Sequence, residues 1–295
     1  MKPAMLCLLA AGAFAAKETI GPVGQDAVWQ PVAGFMESIH KACDAAPKFT
    51  ECFAGQMAKQ APPAAAAFSR AIRNDGYLRD FREVGRVDIA YVAYPFRANE
   101  NQGWLLVNGS PAMVDPDDLK KLPMADMRAD PAWSRLTAQK PNAAFFPGDR
   151  SGNLYPVAII NPDGSQEFVV DYKVVDGCHA CAVLGSAFFS FEFNPKGKFV
   201  YAHYTGLATA GSEEWNGGAP SWPIHTRSGQ KFTLSLSGTD WAIEQPAADW
   251  IIRTAGLTEQ GETFEVVGAG TTQMTLRRGS EHLVLKFVSA PGLRR

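Results

Sequence analysis

The chain has 295 residues, a net charge of −2 at neutral pH and a pI near 6.2, with 46% hydrophobic and 20% charged residues. This balance excludes a largely disordered chain and offers no positive footprint for nucleic acid or anionic membranes. The terminal Leu293-Arg294-Arg295 is too short to be a basic arm, and no stretch approaches the ~20 apolar residues of a membrane span.

The first residues read as an export signal. Met1-Lys2-Pro3 supplies a charge, Ala4 to Ala11 a short apolar run, and Ala13 and Ala15 the small residues that signal peptidase inspects. Residues 1–15 are thus expected to be a signal peptide, and the mature protein to be periplasmic or secreted. Cys7 lies within that segment, where Met5-Leu6 does not make a lipoprotein signal. Four cysteines remain, Cys43, Cys52, Cys178 and Cys181. An even number in an exported chain points to two disulfides. Of the three possible pairings, proximity favours Cys43–Cys52 with Cys178–Cys181.

From Val28 the apolar residues Val32, Phe35, Met36, Ile39 and Cys43 follow helical spacing. Pro47 ends that helix, and Cys52, Phe53 and Met57 start a second. Pro62-Pro63 can open a third, carried on by Phe68 and Ile72 and ended by Asn74-Asp75-Gly76. Tyr77 to Val84 reads as one or two more helical turns. Arg86–Phe96 and Gly103–Val107 then turn rich in β-branched and aromatic residues, as strands do. Asp115-Pro116-Asp117-Asp118 has the form of a capped helix start. Two hairpins follow. Tyr155–Ile160 and Glu167–Val175 flank Asn161-Pro162-Asp163-Gly164, and Ala187–Phe193 and Lys198–Tyr204 flank Asn194-Pro195-Lys196-Gly197. Phe189, Phe191 and Phe193 share one face of a half-buried strand.

Helices followed by antiparallel hairpins predict a disulfide-stapled α+β domain over residues 16–205. Residues 206–223, rich in small and breaking residues, read as a linker. Residues 224–295 hold six short alternating runs, from Phe232/Leu234/Leu236 to Leu283/Leu285/Phe287, the pattern of an all-β Ig-like sandwich. In this last part Gly229-Gln230-Lys231-Phe232-Thr233-Leu234-Ser235-Leu236, and Gly261 to Arg278 with its Ala269-Gly270-Thr271-Thr272 turn, resemble the opening strand and central hairpin of the chagasin-type cysteine-peptidase inhibitors. The resemblance implies an Ig-like fold. In place of that family's Asn-Pro-Thr-Thr-Gly-Tyr loop stands Ser237-Gly238-Thr239-Asp240-Trp241, and no Arg-Pro-Trp segment follows Arg278-Gly279-Ser280. The framework is carried over, and two inhibitory loops are not.

The sharpest chemical signal is Gly177-Cys178-His179-Ala180-Cys181. A C-x-x-C pair serves as a redox dithiol, as half of a zinc site or as a short structural disulfide. The strands on both sides leave little room for a helix to acidify the first thiol, which favours the structural disulfide. His179 is the candidate metal ligand within the motif. Two polar loops, one with Arg97, Asn99 and Glu100 and one with Asp149 and Arg150, are candidate ligand loops. Asp115, Asp117 and Asp118 offer the ligand type of a metal cluster, but helix capping is the expected explanation; Trp215, Trp222, Trp241 and Trp250 offer faces for stacking on sugars, but core burial is the default. Hydrolase, metalloprotease and nucleotide-binding signatures are missing, so no cofactor is expected. The leading expectation is a non-enzymatic exported protein that binds an unknown protein or small molecule outside the cytoplasm. The alternatives are a periplasmic thiol-disulfide or metal-handling protein using the CHAC motif, and a peptidase inhibitor acting through the sandwich.

Overall fold

The computed structural model describes residues 21–98, 101–148, 156–211, 215–216, 219–236 and 240–292. The expected signal peptide lies outside the described residues. Among these residues no helix is long and apolar enough to cross a membrane.

Three helices open the chain, α1 (Phe35–Cys43), α2 (Phe49–Gln60) and α3 (Pro63–Ala71). The first begins seven residues later than its apolar spacing predicts, because Pro31 and the left-handed Gly34 (φ 77°) interrupt the turn; Val32 is exposed. Proline at the first position opens α3 as expected. Cys43 and Cys52 lie at disulfide distance and staple α1 to the first turn of α2. Closing so short a loop contributes about 2–3 kcal/mol.

Next comes an antiparallel meander, β1 (Tyr77–Arg82), β2 (Asp88–Ala93), β3 (Gln102–Val107) and β4 (Met113–Val114). The helical expectation for 77–84 is thereby corrected. Tyr77 and Leu78 are adjacent and both buried, in different apolar clusters, which suits the alternating faces of a strand. The meander sorts its side chains by parity. Ala90, Val92, Leu105 and Val107 meet Phe68 of α3, while Ile89, Tyr91, Trp104 and Leu106 turn to the next layer.

Two short helices, α4 (Met124–Ala129) and α5 (Pro131–Gln139), then pack beside the central sheet. The helix start expected at Asp115 is instead an Asx turn, in which Asp117 N–H donates to Asp115 Oδ1 at 2.9 Å. The capped start falls fifteen residues later, where Asp130 Oδ1 accepts from Ala132 N–H at 2.7 Å and Pro131 takes the first turn.

The central sheet joins β5 (Ala143–Pro147), β6 (Val157–Ile160), β7 (Gln166–Asp176), β8 (Val183–Phe193) and β9 (Phe199–Thr209) to three later strands. Both predicted hairpin turns close as read, with Gly164 (φ 85°) and Gly197 (φ 73°) at their left-handed positions. After β10 (Trp215–Asn216) and β11 (Ala219–Arg227) come β12 (Lys231–Ser235), β13 (Ala242–Gln245), β14 (Ile252–Thr258), β15 (Gly261–Val266), β16 (Gly270–Arg278) and β17 (Glu281–Ala290). Strands β12, β15 and β14 extend the central sheet. Strands β10, β11, β17, β16 and β13 form a second sheet facing it, in which β11 runs parallel to β17.

This arrangement corrects the linker expected at 206–223. That segment holds the end of β9 and the start of β11, and β12 pairs with β6 across it (Leu234 opposite Ile159). Its small residues serve close packing between layers. A side chain on Gly206 would touch the Pro223 ring at 3.4 Å, and Ala208 and Trp222 lie in the core between the sheets. The central sheet is consequently buried on both faces. Phe189, Phe191 and Phe193 face the meander, and Phe188 and Val169 face the second sheet.

Candidate functional site

The positions singled out in the sequence fall at separate places. Cys178 and Cys181 lie at disulfide distance in the tight loop joining β7 to β8, with Gly177 left-handed (φ 96°) and Cys181 N–H donating to Cys178 O at 2.9 Å. No helix begins there. His179 packs its ring edge-on to Phe146 at 5.2 Å, and Lys173 Nζ lies 3.3 Å from its Nδ1. An ammonium at that nitrogen competes with a metal ion for it. Cys178 is exposed, whereas Cys43 is fully buried. We therefore expect mild reductant followed by alkylation to label Cys178 and Cys181 well before Cys43 and Cys52. Equal labelling of both pairs would contradict that order.

Of the candidate ligand loops, Arg97 is described, while Asn99, Glu100, Asp149 and Arg150 lie outside the described residues. Arg97 is committed locally: its guanidinium pairs with Asp75 (Nε to Oδ2, 3.0 Å) and covers the Tyr94 ring at 3.6 Å. Beside it, burial and the neighbouring Asp117 charge push the Asp115 carboxyl up to about 6. A carboxyl whose folded pKa exceeds its unfolded value stabilises the fold while protonated. That contribution is present below pH ~4 and lost as pH rises through ~6. Asp115→Asn is therefore expected to be more stable than the parent at pH 7.5, by about 1–3 kcal/mol, with the gain disappearing near pH 4. Urea unfolding at both pH values measures it, and a pH-independent difference would refute the assignment.

A cleft suited to a ligand lies elsewhere, at the open end between the central and second sheets. It encloses about 410 Å³, the scale of a small-molecule site. Leu234, Phe264 and Leu276 form its apolar floor, and Trp241 and Leu257 stand at its sides. Leu257, on the edge strand β14, is 83% exposed. Three charged residues line the cleft, Arg82, Glu259 and Glu262. Arg82, at the end of β1, donates from Nη2 to Ser235 Oγ at 2.8 Å. Glu262, on β15, has its carboxyl raised by burial, opposed by a hydrogen bond from Thr254. Trp241 is braced from behind by Arg278, 4.8 Å above its ring, which Glu281 holds through a 2.8 Å bond to Nε. Among the described residues lining the cleft there is no histidine or cysteine. Its equipment is an indole, aliphatic walls, one guanidinium and two carboxylates, which suits reversible recognition of an apolar group carrying a polar end.

In the sequence Trp241 reads as a core residue, with stacking on sugars as the alternative, and Leu257, Glu262 and Arg82 carry no motif. Trp241 stands half-buried against the core and Trp250 is 64% exposed, so burial does not account for every tryptophan. The signal available was the pair of apolar residues flanking turns, Trp241 after Asp240 and Leu257 before Thr258-Glu259-Gln260-Gly261. Arg82 arrives from the N-terminal meander and left no local trace. Compared with known proteins, the chain matches no protein-family model and no curated sequence.

Proposed function

We propose that this is an exported, non-enzymatic binding protein whose C-terminal strands form an Ig-like sandwich of the chagasin-type framework, used for recognition. The observation that carries the reading is the cleft of about 410 Å³ with Trp241 and Leu257 at its sides and Arg82 and Glu262 at its mouth. Two facing sheets and two cysteine pairs at disulfide distance suit an extracytoplasmic setting. The occupant is an amphipathic molecule or side chain with an apolar body. The test uses 8-anilinonaphthalene-1-sulfonate, which combines an apolar aromatic body with a sulfonate. One saturable site is expected, weakened about 10-fold or more in Trp241→Ala and Leu257→Asp. Unsaturable dye binding, or unchanged affinity in both variants, would remove the cleft as the site. Export is tested by intact mass of the secreted protein, which should begin at Ala16.

The exposure of Cys178 favours a second reading, thiol–disulfide exchange at the β7–β8 loop. Two glutathione thiols would then reduce the Cys178–Cys181 bond to a dithiol and leave as glutathione disulfide. Equilibration with glutathione buffers reads the potential directly, and a bond that survives a strongly reducing buffer would dismiss this reading.

A further inference from the structure

On the face of the central sheet that turns toward the second sheet, three adjacent strands bring together Glu167 (β7), Glu192 (β8) and His203 (β9). The register explains the meeting. Glu167 is directly opposite Glu192, Glu192 is opposite Tyr201, and His203 is opposite Ser190. One donor atom from each of the three residues lies within 4.8 Å of the others. All three side chains are half-buried.

Two carboxylates placed directly across a sheet repel one another, and among the described residues no lysine or arginine pairs with either. The imidazole is also incompletely used. His203 Nδ1 is shut off from solvent and lies 3.3 Å from Glu192 Oε1, without the alignment of a hydrogen bond. The outer positions are already occupied as they are around bound metals. Ser190 Oγ donates to Glu167 Oε1 at 2.5 Å, and Tyr201, directly opposite Glu192 in the register, sets its ring 5.4 Å from His203. Carboxylate ligands held by their own hydrogen-bond donors are the usual outer arrangement of a metal site.

We propose that Glu167, Glu192 and His203 bind one divalent first-row transition-metal ion, at a site separate from the cleft and independent of it. One imidazole nitrogen with two carboxylates is a borderline donor set suited to Zn²⁺ or Mn²⁺, and the two carboxylates balance the charge of the ion. Bonds of about 2.0–2.2 Å to one centre require donors about 3–3.5 Å apart. The trio must draw in by about an ångström, which side-chain rotation on a rigid sheet can supply. Three protein ligands leave further coordination positions for water.

The test titrates Zn²⁺, and separately Mn²⁺, into the purified full chain without reductant, so that both cysteine pairs stay oxidised. A fluorescent chelator reports the free ion. One equivalent should bind with micromolar or tighter affinity, and Glu167→Gln and His203→Asn should each weaken it by about 10-fold or more. Co²⁺ should give visible d–d bands that His203→Asn alters. The surface pair His282–Glu244, at 3.1 Å, provides the control, and His282→Asn should bind as the parent does. Where Glu167→Gln fails to fold, Glu192→Gln and His203→Asn decide. Absence of a saturable equivalent tighter than about 100 µM, parental affinity in the folded ligand variants, or loss of binding in His282→Asn alone would overturn the proposal.

Discussion

Phe189→Ala is expected to lower the unfolding free energy by about 3–5 kcal/mol, read as a shift of the urea midpoint with an unchanged slope. Phe189 is fully buried at the middle of β8, in the apolar cluster shared by the meander and the central sheet. Its ring meets Phe145 at 5.8 Å, Tyr172 at 5.4 Å and Tyr204 at 5.5 Å, each edge to face. Deletion removes those contacts as well as transferable area. The cavity would be walled on one side by strand backbone whose other face is packed against the second sheet, through Phe188 and Val169. A layer held from both faces cannot relax inward, which places the cost toward the upper end of the range. A loss under about 1 kcal/mol would mean that the layers are not packed as described.

Gln166→Leu is the second large expectation, a loss of about 2–4 kcal/mol from a change that keeps size and adds apolar surface. Gln166 is only 3% exposed at the start of β7. Its carboxamide imitates a strand partner for the segment that leads into β2: Oε1 accepts from Val87 N–H at 2.8 Å, and Nε2 donates to Val87 O at 2.9 Å. Leucine leaves that buried N–H and C=O without partners. The neighbouring groups are already committed, since Asp88 Oδ1 accepts from Val84 N–H at 2.8 Å and from Gly85 N–H at 3.1 Å, and Asp88 Oδ2 accepts from Asn108 Nδ2 at 2.7 Å. Gly85 has no side chain because a Cβ there would approach Gln166 Nε2 to 3.1 Å. Gln166→Glu, which sets a buried carboxylate oxygen against Val87 O, should cost at least as much as the leucine variant at neutral pH. A leucine variant as stable as the parent would show that water replaces the carboxamide.

The metal and cleft sites share no residue and can fail separately. Loss of dye binding in Trp241→Ala with zinc affinity intact would separate them in one direction, and His203→Asn would do so in the other.

What the amino-acid sequence determined by itself is what contiguous residues encode. Asn161-Pro162-Asp163-Gly164 and Asn194-Pro195-Lys196-Gly197 specify their own turns, because a glycine at the left-handed position settles the local backbone whatever it later packs against. The alternation of Phe189, Phe191 and Phe193 assigns a face, and Pro63 places a helix start. Cys43–Cys52 and Cys178–Cys181 are each close enough in the chain for proximity to pair them. Tertiary structure alone decided which strands became neighbours. Leu234 opposite Ile159 spans the segment that composition marks as a linker, since small residues serve loops and tight layer packing equally well. Tyr77 to Arg82 became a strand because β2 was there to pair with it. Glu167, Glu192 and His203 carry no spacing motif, for a site built across a sheet is written in the register of three strands and not along any one of them.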